Sequence, residues 1–86
     1  MATYQVEWKK SAIRELKRLD RTIIPRIIEA VDHLSSEPLP QGVTKLQGSQ
    51  RTYRIRIGNY RVVYEVYESI LIIEVIRVRH RKDAYR

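Results

Sequence analysis

The sequence predicts an α+β domain in which a small, mostly antiparallel sheet carries a helical hairpin on one face. The expected order is strand, helix, helix, then a three-strand meander. Three observations lead there. Apolar and charged residues alternate on both sides of Gly58-Asn59, from Tyr53 to Tyr67. Period-2 alternation broken by a two-residue turn is a β-hairpin signal. Upstream, residues 11–35 repeat apolar side chains at helical spacing, and the stretch 70–78 is nearly all β-branched or leucine. The chain of 86 residues makes one domain, 1–86, with one modest core.

The elements follow in order. Thr3 to Trp8 reads as a first strand with Tyr4, Val6 and Trp8 on one side. Ser11 to Leu19 reads as a short helix, with Ile13, Leu16 and Leu19 recurring every three residues. A second helix runs from near Thr22 to about Ser35. Thr22 is placed to cap it, and Pro25 falls in its first turn, where proline is tolerated. Ile24, Ile27, Ile28, Val31 and Leu34 form its apolar stripe, with Arg26, Glu29 and His33 on the wet side. Glu37-Pro-Leu-Pro-Gln-Gly42 stops the helix. Three strands close the domain: Thr52–Ile57, Tyr60–Tyr67 and Ile70–Val78. The last is apolar enough to predict a central strand covered on both faces. Arg77 breaks its alternation, which predicts fraying or a bulge. Whether the first strand joins the meander edge in parallel is open from the residues alone.

The charge is +7 and unevenly spread. Residues 1–42 hold seven Lys and Arg against six Asp and Glu, whereas residues 43–86 hold ten against four. Such asymmetry favours a polyanionic partner. Pairing across Gly58-Asn59 sets Ile57 against Tyr60, Arg56 against Arg61, Ile55 against Val62 and Arg54 against Val63. Tyr53, Ile55, Ile57, Tyr60, Val62 and Tyr64 then share the core face, and Arg54, Arg56 and Arg61 share the other. Like charges directly opposed are destabilising, so the cluster suits an anion, with a phosphate the best candidate. Two plainer readings stay open: a solvated face that keeps the protein soluble, or an ion pair with Glu74 if it lies across from Val63. Lys45, Arg51 and Arg79 extend the expected phosphate-binding set. Tyr4, Trp8, Tyr60 and Tyr64 read as core.

Other chemistries find no support. There is no cysteine, two histidines and no carboxylate cluster with ligand spacing, so neither a metal nor a cofactor is expected. No glycine-rich phosphate loop is present. The opening residues do not resemble a signal peptide. The longest apolar run, Ile70–Ile76, is interrupted by Glu74 and too short to cross a bilayer, and a cytoplasmic protein is the expectation.

Taken in order, several segments carry a family resemblance. They are Tyr4-Gln-Val-Glu-Trp8, Ala12-Ile-Arg-Glu-Leu16, the Pro38/Pro40 loop, Lys45-Leu-Gln-Gly48, Tyr53-Arg-Ile-Arg-Ile57, Tyr60-Arg-Val-Val-Tyr64 and Val78-Arg-His-Arg-Lys-Asp-Ala-Tyr85. Over almost its whole length the chain resembles the RelE-type toxins of toxin–antitoxin pairs, within the RelE/ParE superfamily. The resemblance implies a toxin that binds translating ribosomes and cuts mRNA by attack of a ribose 2′-hydroxyl on the adjacent phosphate. It also implies a cognate antitoxin, expected to be acidic with an amphipathic helix. Carried over by position, the family's functional residues fall on Arg54, Arg56, Arg61, Arg81 and Tyr85. The strand pair Arg54/Arg56 is often lysine in the family, and the Arg81–Tyr85 spacing is shorter than in some members. A ParE-like toxin acting on DNA gyrase and a non-catalytic RNA- or partner-binding module are the alternatives.

Arginine fits one catalytic role well and another badly. Its planar fork holds phosphate oxygens bidentately, and donors placed where charge develops supply a large catalytic effect. It stays protonated in proteins, so it cannot take the 2′-hydroxyl proton. His80 and Tyr85 are the candidate substitutes, with Tyr85 also able to stack on an unpaired base. Taken alone, His80 also reads as an ordinary surface histidine, and Tyr85 as a side chain that pins the tail.

Overall fold

A computed structural model describes residues 3–81 of the chain. Its elements are β1 (Gln5–Trp8), α1 (Lys10–Lys17), α2 (Ile24–His33), β2 (Thr44–Lys45), β3 (Thr52–Ile57), β4 (Tyr60–Tyr67) and β5 (Ile72–His80). The five strands form one sheet in the order β1-β5-β4-β3-β2. Neighbours β2 to β5 pair antiparallel, and β1 pairs parallel with β5, Val6 opposite Ile73 and Trp8 opposite Val75. The sheet is therefore mixed. The two-residue strand β2 was not expected; it is too short to show a period.

Both helices lie on one face. The buried residues are Ala12 and Leu16 of α1, Ile27 and Val31 of α2 with Ile23 and Leu34 at its ends, and Ile55, Val62, Tyr64, Val66, Ile73, Val75 and Val78 of the sheet. The expected helix stripes are narrower than predicted. Ala12 and Leu16, four apart, face the sheet, and Ile13 is exposed; Ile28 likewise points outward while Ile27 and Val31 are buried. Thr22 does not cap α2. Its amide and hydroxyl both donate to the Asp20 carboxylate at 3.0 Å, holding that carboxyl below its usual range. Helix α2 starts at Ile24, with Pro25 in its first turn, where a missing N–H costs nothing.

Strand β5 is interior to the sheet, as expected, but it is not covered on both faces. It lies between β1 and β4, and its outward side carries Arg77 and Arg79. The bulge signalled by Arg77 is present. Val63 is opposite Arg77, but Tyr64 is opposite Val75, so Ile76 is an extra residue on β5. A bulge of this kind shifts the face of every residue beyond it. Glu74 consequently sits opposite Glu65, not Val63, and the ion pair imagined with Arg54 is not formed. No helix among the described residues is long and apolar enough to cross a membrane.

Tyr64 fixes the centre of the core. It is fully buried in β4, and its hydroxyl donates to the Pro38 carbonyl at 2.7 Å, tying the loop after α2 to the sheet. Burial, and secondarily the neighbouring Tyr53, push its pKa well above the ordinary phenol value. The folded state thus favours the neutral phenol. Its contribution is complete below pH ~10, the ordinary phenol pKa, and is lost as pH rises toward the raised value. Tyr64→Phe should lower stability at neutral pH by about 1 kcal/mol through the lost hydrogen bond. In denaturant titrations the gap between wild type and variant should shrink as pH rises above ~10; a constant gap would contradict this account.

Candidate phosphate-binding site

The hairpin aligns the arginines. Gly58 adopts φ 60°, and among the described residues Leu71 is the non-glycine residue with positive φ. A positive φ at the first turn position alone fits a type II′ turn, which calls for glycine there. The pairing is the one the alternation predicts, with Arg56 opposite Arg61 and Arg54 opposite Val63. Across β4, Arg61 also meets Arg79, and Val63 meets Arg77. The open face therefore carries two rows, Arg56–Arg61–Arg79 and Arg54–Val63–Arg77.

Four of these arginines share one concavity of about 230 Å³, lined by Arg54, Arg61, Arg77 and Arg79 with Val63 and Ile76 beside them. Among the described residues, no acidic one lines it. Arg61 is 7% exposed, the buried charged side chain among the described residues. Charge held out of water interacts more strongly with an arriving anion than charge at the surface. Arg79 is anchored from the side. Its Nε donates to Glu15 Oε2 at 2.8 Å, while Glu15 Oε1 accepts the Val78 amide at 2.9 Å. Strand β1 pairs with β5 only as far as Val75, so the Glu15 carboxylate covers the β5 edge beyond it and aims Arg79 at the same time.

The remaining candidates divide. Arg56 does not line the concavity. Its Nε donates to the Gly58 carbonyl at 3.0 Å, and it borders a separate groove of about 720 Å³ with Ile57, His33 and Pro40. This divergence relieves the Arg56/Arg61 repulsion expected from the register. Arg81 is exposed, and its amide donates to the Asn59 carbonyl at 2.6 Å, which fastens the end of β5 beside the hairpin turn. His80 is opposite Tyr60 and meets its ring edge-on, centroids 5.1 Å apart. That register puts it on the helix-bearing face, away from the arginine concavity. Lys45 is opposite Tyr53, again off the arginine face. Arg51 is spent on the Tyr67 ring, 5.0 Å from its centroid. Tyr85 lies outside the described residues. Arg77 was the site residue that sequence reasoning missed; its signal was the broken parity between Val75 and Val78.

Among the described residues, no group of three or more His, Cys, Asp or Glu side chains is placed to hold a metal ion. Among the described residues the concavity offers guanidinium donors, a partly apolar wall and no carboxylate or imidazole to accept a proton, which suits binding and charge stabilisation of a phosphodiester.

Comparison with known proteins gives a consistent result. The family described as "ParE toxin of type II toxin-antitoxin system, parDE" matches residues 6–85. The chain is 33% identical over 84 residues to toxin RelG of Mycobacterium tuberculosis, covering 96% of this chain and 97% of that protein. It is 35% identical over 85 residues to toxin RelE3 of Methanocaldococcus jannaschii, covering 94% of each. Its fold superimposes on a chain of an archaeal RelE–RelB complex from Pyrococcus horikoshii with a TM-score of 0.82 and 33% identity, covering 92% of this chain and 96% of that one.

The Glu15 arrangement makes a stability prediction. Glu15→Ala exposes the Val78 amide and releases Arg79, and should cost about 1–3 kcal/mol. Glu15→Gln keeps an acceptor for the amide and should cost less. Equal losses in thermal unfolding would mean that the edge hydrogen bond contributes nothing.

Proposed function

Because this chain belongs to the RelE/ParE superfamily of toxins from type II toxin–antitoxin systems, we propose that it is a ribosome-dependent mRNA endonuclease that blocks translation. The observation that carries this reading is the meeting of Arg54 and Arg61 in one concavity on the open face of the sheet, which no acidic residue lines among those described. In the proposed reaction the ribose 2′-hydroxyl gives its proton to water as its oxygen attacks the adjacent phosphorus, a cyclic phosphate forms, and the 5′-oxygen leaves and takes a proton from water. Arg61 and Arg54 hold the non-bridging oxygens as negative charge builds on them. Arg81, fastened beside the turn, reaches the same phosphate from the hairpin end. Tyr85 orients the attacking hydroxyl. The guanidinium groups carry charge stabilisation and not proton transfer. A protein this small grips little substrate, and the ribosome supplies the rest of the orientation.

The site of action is then the cytoplasm, where translating ribosomes are. The partner is a cognate antitoxin, of the kind the P. horikoshii relative is complexed with. Against a chain of charge +7 it would be acidic, with an amphipathic helix, and would cover the arginine face. A ParE-like action on DNA gyrase is the second reading, favoured by the description of the matching family; the basic hairpin weighs against it.

Expression of the chain without an antitoxin, followed by mapping of mRNA 5′ ends, separates the two. Cuts inside translated codons are expected. Arg61→Ala should reduce cleavage by about 10²–10³, the usual effect of removing one charge-stabilising donor, and Arg81→Ala should also reduce it. Intact mRNA together with DNA-damage signalling would overturn the nuclease reading in favour of gyrase.

A further inference from the structure

The two arginine rows are not equivalent, and the second holds an arginine, Arg77, that the cleavage chemistry does not absorb. Rows on one face of a strand lie two residues apart, about 6.6 Å, which is of the order of the separation between successive phosphates in a single strand. Arg61 anchors the row nearer the turn. The next row is Arg54 and Arg77, on either side of Val63. Among the described residues no hydrogen bond or ion pair engages either of these two side chains. Arg79 is offset by Glu15, but among the described residues nothing acidic lines the concavity near Arg77. Arg77 owes its place to Ile76. Without that extra residue, strict alternation would turn Arg77 to the helix-bearing face, where a charge would meet the core.

We infer that Arg77 anchors a second phosphate subsite, holding the phosphodiester one nucleotide away from the one gripped by Arg61 and Arg54. The inference rests on the nuclease reading for its substrate, single-stranded RNA. The subsite reads backbone and not sequence. Val63 and Ile76 supply an apolar wall against which a sugar or base can lie. Arg77 is a binding residue here; it does not touch the reacting atoms.

The test uses the full chain and a short single-stranded RNA made of 2′-O-methyl nucleotides, whose attacking hydroxyls are blocked. Binding is followed by fluorescence anisotropy across a series of salt concentrations. Each phosphate contact in a single strand contributes about 0.7 to the slope of log K against log salt. Arg77→Ala should flatten the slope by about that amount, and Arg77→Lys should keep it. Both variants should melt with the wild type, because Arg77 is exposed. A single uncharged methylphosphonate walked along the strand should weaken wild-type binding at two neighbouring linkages and Arg77→Ala binding at only one of them. A wild-type slope in Arg77→Ala, or an unchanged two-linkage pattern, overturns the subsite. Cleavage on translating ribosomes is scored separately. If wild type cuts but Arg77→Ala binds like wild type, the subsite alone falls. If wild type does not cut yet the slopes change as expected, the nuclease reading falls and the subsite stands as an RNA-binding one.

Discussion

Strand pairing through the Gly58–Asn59 turn sends apolar side chains to one face of the sheet and guanidinium groups to the other. The core and the basic face are therefore two sides of one constraint. Ile55, Val62 and Tyr64 are buried under the helices by the same register that sends Arg54 and Arg61 to the opposite face. Burial of the apolar set holds the register, since a slip by one residue would turn the arginines into the core. The hydrophobic effect thereby keeps like charges together that would separate if left to themselves.

The helices contribute to the basic face indirectly. Helix α1 lies along β5 and brings Glu15 to the strand edge that β1 leaves uncovered. One carboxylate there satisfies a backbone amide and holds a cation. On the same face of the sheet, the Tyr64 hydroxyl ties the loop after α2 to β4. The Glu15 contact reaches the concavity through Arg79, which lines it; the Tyr64 contact does not.

Most of the architecture was legible in the sequence, because alternation and helical spacing report directly on which residues face a core. The hairpin register came out residue by residue, as did the convergence of Arg54 and Arg61. What stayed hidden depended on contacts between distant segments. The parallel pairing of β1 with β5 leaves no local mark, and β2 is too short to have a pattern. The apolar run of β5 looked like a doubly covered strand because Ile76 is apolar without being in the core. Backbone register could not reveal that Arg56 folds back on the Gly58 carbonyl, a side-chain choice made after the strands have paired. His80 faces Tyr60 because the extra residue in β5 shifts its register. Arg77 was visible as an irregularity, and its meaning became clear only once its opposite number, Val63, was known.

The extra residue in β5 also bears on how such chains diverge. One insertion or deletion in that strand moves a positive charge from one side of the sheet to the other while every other side chain keeps its identity. Two descendants can then present the same electrostatic surface from different positions in their chains, or different surfaces from the same positions. For proteins of this architecture, kinship of function is better judged by counting charges row by row across the paired strands than by matching letters down a column.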